Sequence, residues 1–335
     1  FVQAERIADQ KDYHSVSRLA GSLVLNEEMV QYKGDDFEKV LINGVNALNY
    51  LELGQLDDAL VEVRRVNEKL YKLKQDGKQE FNQSPYAYYL GAILWEADLK
   101  FDDAYIAYNN AYSVAPGYTP LREDLIRSAI RAQRPEELEK WQKAFPEVKI
   151  KPEWKDRSRG EIVLVFENGW GPRKWPRPEN PRFPQLLPVM TGVTAATMNV
   201  FPGTDAEMAS NAVATATTTR IYSIDDIAIK ALEADVGRLM AARVAGIAAK
   251  AVVADQVRQK NELLGAVAWI ALNATDRADL RQWSTLPKSF QIARASVKPG
   301  KYKVALSAHG SSTTGIKEVE VKPGRKAFIV WRVFE

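Results

Sequence analysis

The sequence predicts an α+β chain in which N-terminal α-helical repeats are followed by an α+β domain with an antiparallel β-sheet and a long helical hairpin. Through residues 1–147, apolar side chains recur three and four apart, and Gly and Pro stay few until the segment closes. From residue 161, runs rich in Val, Ile and Thr alternate with turns bearing Gly and Pro. Within this half lies one long Ala-rich stretch of helical pattern, residues 224–274. A chain of 335 residues exceeds one typical core, so two domains are expected, 1–147 and 148–335.

In ALNYLELGQLDDALVEVRRV, Ala47, Tyr50, Gly54, Leu56, Ala59 and Val63 stand at the spacings of a tetratricopeptide helix pair. GAILWEADLKFDDAYIAYNNAYSVAP repeats the scheme with Ala92, Trp95, Phe101, Ala104, Tyr108, Ala111 and Pro116. Small residues such as Ala59 and Ala104 belong where the two helices of a unit approach most closely, and larger ones fill the gap to the next unit. Ala59 and Ala104 lie further apart than the usual period of about 34 residues, which implies longer helices or an insertion at KLKQDGKQEFNQSP. LREDLIRSAIRAQRPEELEKWQKAF supplies a degenerate third pair and Gln10 to Leu25 a first. A helical bundle without repeats is the plainer alternative.

PEVKIKPEWKDRSRG reads as a polar linker into the strand EIVLVFEN, with TAATMNVFP and AVATATTTRIYSI as further strands over 161–222. Ser223 and Asp226 resemble a capping box that starts the long helical run, and a break near Gln256 to Asn261 divides it into two helices. Four strands then form a small antiparallel unit over 288–335: SFQIARASV, KYKVALSA, IKEVEVK and AFIVWRVF. KPGK and KPGR punctuate them, Pro presetting its own φ and Gly accepting a positive one. AFIVWRVF is apolar on both faces apart from Arg332, which predicts a central strand buried on two sides.

The formal charge of +3, from 46 basic and 43 acidic residues, excludes a globally basic nucleic-acid binder. The absence of cysteine removes disulfides, thiolate nucleophiles and zinc–cysteine sites. No apolar run reaches the roughly 18 residues needed to span a membrane, since Arg243 and Lys250 interrupt the longest. His14 and His309 each lack a second ligand at metal-like spacing, and no nucleophile elbow, phosphate loop, dinucleotide fingerprint or zinc-protease motif occurs. No catalytic, cofactor-binding or metal-binding residue is therefore assigned, and the chain is not expected to be an enzyme.

Binding candidates remain. First-helix positions of the repeats carry Asn43, Asn46, Asn49, Tyr50, Tyr88, Trp95 and Glu96, a polar and aromatic set suited to peptide backbone. Arg64 and Arg65, near Glu62 and Glu68, read either as a groove for an acidic peptide or as ordinary i,i+3 and i,i+4 pairs. ENGWGPRKWPRPENPR, residues 167–182, reads as a stiff polyproline-like connector whose Trp170, Arg173, Lys174 and Trp175 are exposed anchors for a partner. In TDRADLRQWSTLP, Asp276, Arg277, Asp279 and Arg281 suggest a specified loop or an ion-paired helix end.

ENGWGPRK, DLRQWSTLPKSFQIAR and DFEKVLINGVNALNYLELGQLDDALVEVRR resemble an uncharacterised family of Gram-negative lipoproteins that join helical repeats to a C-terminal α+β region. The resemblance implies export to the periplasm, a lipid-bearing cysteine upstream of Phe1 and anchoring at the outer membrane. It also implies a place near peptidoglycan synthesis or an envelope-spanning assembly, because relatives tend to be encoded beside a lipoprotein activator of a penicillin-binding protein. The leading expectation is a non-enzymatic scaffold or adaptor that binds other envelope proteins through its repeats and its Trp/Arg arm. A peptidoglycan-binding regulator is the alternative, a hydrolase of envelope polymers the third, and a homo-oligomeric ring or filament subunit a variant of the first.

Overall fold

The computed structural model describes residues 3, 5–7, 32, 34–75, 83–203, 211–259, 262–264, 266–267 and 277–335. The chain is mixed α+β, with helices mainly N-terminal and strands mainly C-terminal. Its helices are α1 (Asp36–Glu52), α2 (Leu56–Gln75), α3 (Pro85–Ala97), α4 (Phe101–Val114), α5 (Pro120–Arg131), α6 (Pro135–Ala144) and α7 (Ile224–Arg258). Its strands are β1 (Gly160–Asn168), β2 (Arg173–Pro176), β3 (Pro184–Leu187), β4 (Ala195–Pro202), β5 (Ala214–Thr217), β6 (Thr219–Ser223), β7 (Ser289–Val297), β8 (Gly300–His309), β9 (Thr314–Val321) and β10 (Lys326–Val333). Two compact units result: a larger one of Val40–Gly171, Val189–Asp225 and Thr285–Glu335, and a smaller one of Phe1–Lys39, Pro172–Pro188 and Asp226–Ser284.

In the larger unit each helix from α2 to α6 packs on its sequence neighbour. Ser84 caps α3, its hydroxyl accepting from the Ala87 amide at 3.2 Å, and Pro85 occupies a first-turn position where its missing N–H costs nothing. Leu99 and Gln133 adopt positive φ just beyond α3 and α5, the left-handed conformation that ends a helix and lets the chain reverse. Ala59, Ala104 and Ala111 are buried, so their neighbours can approach closely. The proposed first repeat, Gln10 to Leu25, and most of the loop after Lys74 lie outside the described residues.

Two four-stranded sheets complete this unit, ordered β10-β1-β7-β6 and β5-β4-β8-β9. Ile162, Leu164 and Phe166 of β1, with Ala293 and Ala295 of β7, meet Met198 and Val200 of β4 and Val304 and Leu306 of β8 in one core. Each fully buried side chain of the size of Phe166 contributes roughly 1.5–3 kcal/mol. The opposite face of the first sheet meets helices, as the stacking of Tyr86 from α3 on Phe290 from β7, 4.1 Å between centroids, shows. Helices, sheet and sheet therefore form three layers, and β1, buried along its whole length, is central.

Three strand expectations are corrected. AFIVWRVF is an edge strand, β10, which pairs parallel with β1 and is mostly half-buried. The four C-terminal strands form no separate antiparallel unit, because β7 and β10 join the first sheet while β8 and β9 join the second. AVATATTTRIYSI divides at Thr218 into β5 and β6, one in each sheet. The division is stable because Thr218 is fully engaged: its hydroxyl accepts from the Ala196 amide and donates to Gln291, both at 2.8 Å. Gly160 permits the β1–β10 approach, since a Cβ there would lie 2.6 Å from the Arg325 carbonyl oxygen.

The smaller unit holds the two-stranded β2–β3 sheet and most of α7. The helix α7 ends at Arg258, inside the segment where a break is expected, and the rest of the predicted hairpin falls largely outside the described residues.

Candidate partner-binding surfaces

The helix-facing side of the first sheet carries charge where apolar residues would be the default. Arg294 projects from β7, on the face opposite core residues Ala293 and Ala295. Its guanidinium reaches Glu96 of α3 at 2.8 Å, Asp124 of α5 at 2.9 Å and Glu161 of β1 at 2.7 Å. Arg127 of α5 bonds Asp124 at 2.6 Å, and Lys326 of β10 pairs with both Glu96 and Glu161. Tyr108 donates to Glu96 at 2.9 Å and Tyr89 to Asp124 at 2.5 Å.

Three cations and three carboxylates are thus balanced, with none of the six side chains more than 15 % exposed. Burial alone would raise the Glu161 carboxyl, but Arg294, Lys326 and Arg127 overcome it and hold the group at about 2. Glu96 is likewise held well below the usual carboxylate range, by Arg127, Lys326 and Arg294 against burial. Carboxylates so firmly ionised have no proton to give at neutral pH, and the network acts as a clamp joining α3 and α5 to three strands.

The sequence-selected row therefore divides. Asn43 is buried, donating to Glu62 at 2.6 Å and accepting from Lys69 at 2.7 Å. Asn46 is buried and Glu96 belongs to the clamp, so these three positions offer no side chain to a partner. Trp95 is nearly covered, with the Arg64 guanidinium 5.1 Å and the Lys100 ammonium 5.4 Å from its ring. Tyr88 is half-buried and donates to Gln83 at 2.9 Å. Asn49 and Tyr50 are half-buried near the end of α1. The contact surface expected along this row is corrected at three positions: Asn43 is engaged by α2, Asn46 is buried, and Glu96 is engaged by β7 and β10. Arg65 forms the ordinary i,i+3 pair with Glu62 at 3.2 Å.

The arm is also corrected in form. Arg173 to Pro176 pair in register with Pro184 to Leu187, so the stiff polyproline connector is a hairpin. Pro176 and Pro184 face one another at its far register pair, where the loss of two N–H donors does least harm. Arg173 donates to the Ser284 carbonyl at 2.7 Å, and Lys174 donates through its backbone to Gln282 at 2.6 Å and through its ammonium to the Arg281 carbonyl at 3.1 Å. Trp175 alone of the four is fully presented, 55 % exposed. Trp170, in the larger unit, packs at 4.8 Å from Phe334 and 5.2 Å from Arg332. Comparison with protein-family models, curated proteins and solved structures finds no match.

Elsewhere in the smaller unit, Asp279 and Arg281 form a 2.8 Å ion pair in an irregular segment, as a specified loop would; Asp276 lies outside the described residues. Glu38 there accepts from Tyr32, from the Trp283 amide at 2.9 Å and from the Asp35 amide at 3.1 Å. Burial and the nearby Asp35 raise the Glu38 carboxyl despite those bonds. His14 lies outside the described residues, and His309 meets the Thr197 hydroxyl at 2.7 Å. Among the described residues no cluster of potential metal ligands occurs, and no helix is long and apolar enough to cross a membrane.

The sequence singled out Glu96 but missed its partners. The signal was present in SFQIARASV, where Arg294 shares a strand face with Phe290 and Ile292 and, if buried there, requires carboxylate partners.

Proposed function

We propose that this chain is a protein-binding scaffold or adaptor of the Gram-negative cell envelope, its helices arranged as tetratricopeptide-like repeats. The observation that carries the reading is the serial packing of α2 to α6, with alanines at the close approaches, held rigid by the Arg294 clamp. A stack of helices backed by a sheet presents a large surface of fixed shape, which suits holding partners in a set geometry. Trp175 supplies an aromatic anchor of the kind that dominates interface energetics. The resemblance to envelope lipoproteins supports a periplasmic location and a lipid anchor.

The test is site-specific photo-crosslinking from position 176, beside Trp175, of the full chain in Gram-negative cells. A discrete adduct with an envelope protein, competed away by unlabelled chain, supports the reading. Co-sedimentation with purified sacculi in place of any protein adduct would replace it with peptidoglycan binding.

A further inference from the structure

A cleft in the larger unit opens directly above the clamp, with Glu96, Arg127, Glu161 and Lys326 at its floor. Around its mouth stand Arg131, Arg159 and Arg325, with Phe101 and Trp154 as apolar walls and Glu153 as the facing carboxylate. The floor is charge-balanced by Arg294 and Asp124 behind it, whereas the mouth sets three arginines against the exposed Glu153 and an Asp156 carboxylate that feels Arg159. None of the three forms an ion pair within 4.0 Å among the described residues.

Their hydrogen bonds go instead to neutral oxygens. Arg131 donates to the Asp156 carbonyl at 3.1 Å, Arg159 to the Ser296 hydroxyl at 2.9 Å and carbonyl at 3.0 Å, and Arg325 to the Ala97 carbonyl at 3.1 Å. These contacts fix the guanidinium planes while leaving further N–H groups on each. The Nε atoms of Arg127 and Arg131 are buried without an acceptor. Burial, with the nearby charges of Arg127 and Arg157, lowers the Arg131 guanidinium below its usual value against the pull of Glu96 and Glu161. An anion at the mouth would relieve that excess of positive charge.

The cleft encloses about 70 Å³, room for several waters or one compact polar group. We propose that it binds a single small oxyanion, carboxylate or phosphate, through forked contacts from Arg131 and Arg159, with Arg325 adding charge at the rim. Planar guanidinium forks match two-oxygen acceptors in geometry as well as in charge, and the apolar walls strengthen such contacts by excluding water.

Isothermal titration of the full chain with inorganic phosphate and with acetate, at ionic strength matched by chloride, tests this. Saturable binding of phosphate, acetate or both is expected, and the responding arm identifies the chemistry. Arg131→Gln should weaken it roughly tenfold or more, and Arg131→Lys, which keeps the charge but loses the fork, should weaken it too. Lys143→Gln, on the outer surface of α6, should bind as the parent does. The proposal is overturned if neither anion saturates by about 10 mM, or if both Arg131 variants bind like the parent while their circular dichroism is unchanged.

Discussion

Arg294 of β7 and Glu96 of α3, 198 residues apart in sequence, meet at 2.8 Å in the interior of the larger unit. Desolvating such a pair offsets much of its attraction, so its presence is weak evidence of net stabilisation; removing one partner is another matter. Arg294→Met leaves three buried carboxylates with only Arg127 and Lys326 to balance them and should cost about 3–5 kcal/mol. Urea denaturation monitored by far-ultraviolet circular dichroism measures it, and a loss below about 1 kcal/mol would mean the charges reach water.

Acid should act through the same residues. Glu161 is held at about 2 in the fold, below its unfolded value of about 4.3, so its contribution is complete above the unfolded value and is lost as pH falls toward 2. The stability gap between the parent and Glu161→Gln should therefore be widest at neutral pH and close between about pH 4.3 and 2. Denaturant midpoints of both chains across that range provide the check.

Glu38 predicts the opposite slope. Its folded carboxyl is raised, first by burial, so the structure around it is most stable below the unfolded value near 4.3 and loses stability as pH rises through the folded value. Glu38→Gln removes the titrating group while keeping one acceptor oxygen, enough for either the Trp283 amide or Tyr32, and should flatten this dependence. Hydrogen exchange at the Trp283 amide reads it directly.

Gly310 turns β8 into β9 with φ at 84°, and a Cβ there would sit 2.1 Å from the Gly192 carbonyl oxygen. Gly310→Ala should destabilise the larger unit by more than about 1 kcal/mol, from the disfavoured backbone together with a clash against main chain that cannot rotate away. A thermal melt against the parent shows it.

Trp175→Ala should leave stability within about 0.5 kcal/mol while abolishing the crosslink from position 176. An unchanged adduct would remove Trp175 as an anchor.

Much of the fold was legible because local rules governed it. The spacing of small and larger apolar residues marked α3 to α6, and the apolar run GEIVLVF marked a strand that proves to be buried along its whole length. AFIVWRVF carried the same pattern yet lies at an edge, since apolarity reports burial and says nothing of which strand supplies the second neighbour. The split at Thr218 was illegible for a related reason: Thr and Ala suit a strand in either sheet, and only the distant Ala196 and Gln291 make a break there affordable. At the candidate surfaces, residue type suggested Asn43 and Glu96 as contacts, whereas partners 19 and 198 residues away had already engaged them.

The parallel pairing of β1 with β10 has a consequence for how the chain is made. Glu161 and Lys326 are separated by 165 residues, so a ribosome releases Glu96, Asp124 and Glu161 well before the cations of β7 and β10 that neutralise them. Until then Arg127 is the one cation of the network that faces these three carboxylates, and their uncompensated charge favours hydration over burial. Completion of the first sheet then becomes a late, long-range step in folding, slow by the measure of contact order and dependent on the arrival of the last strand.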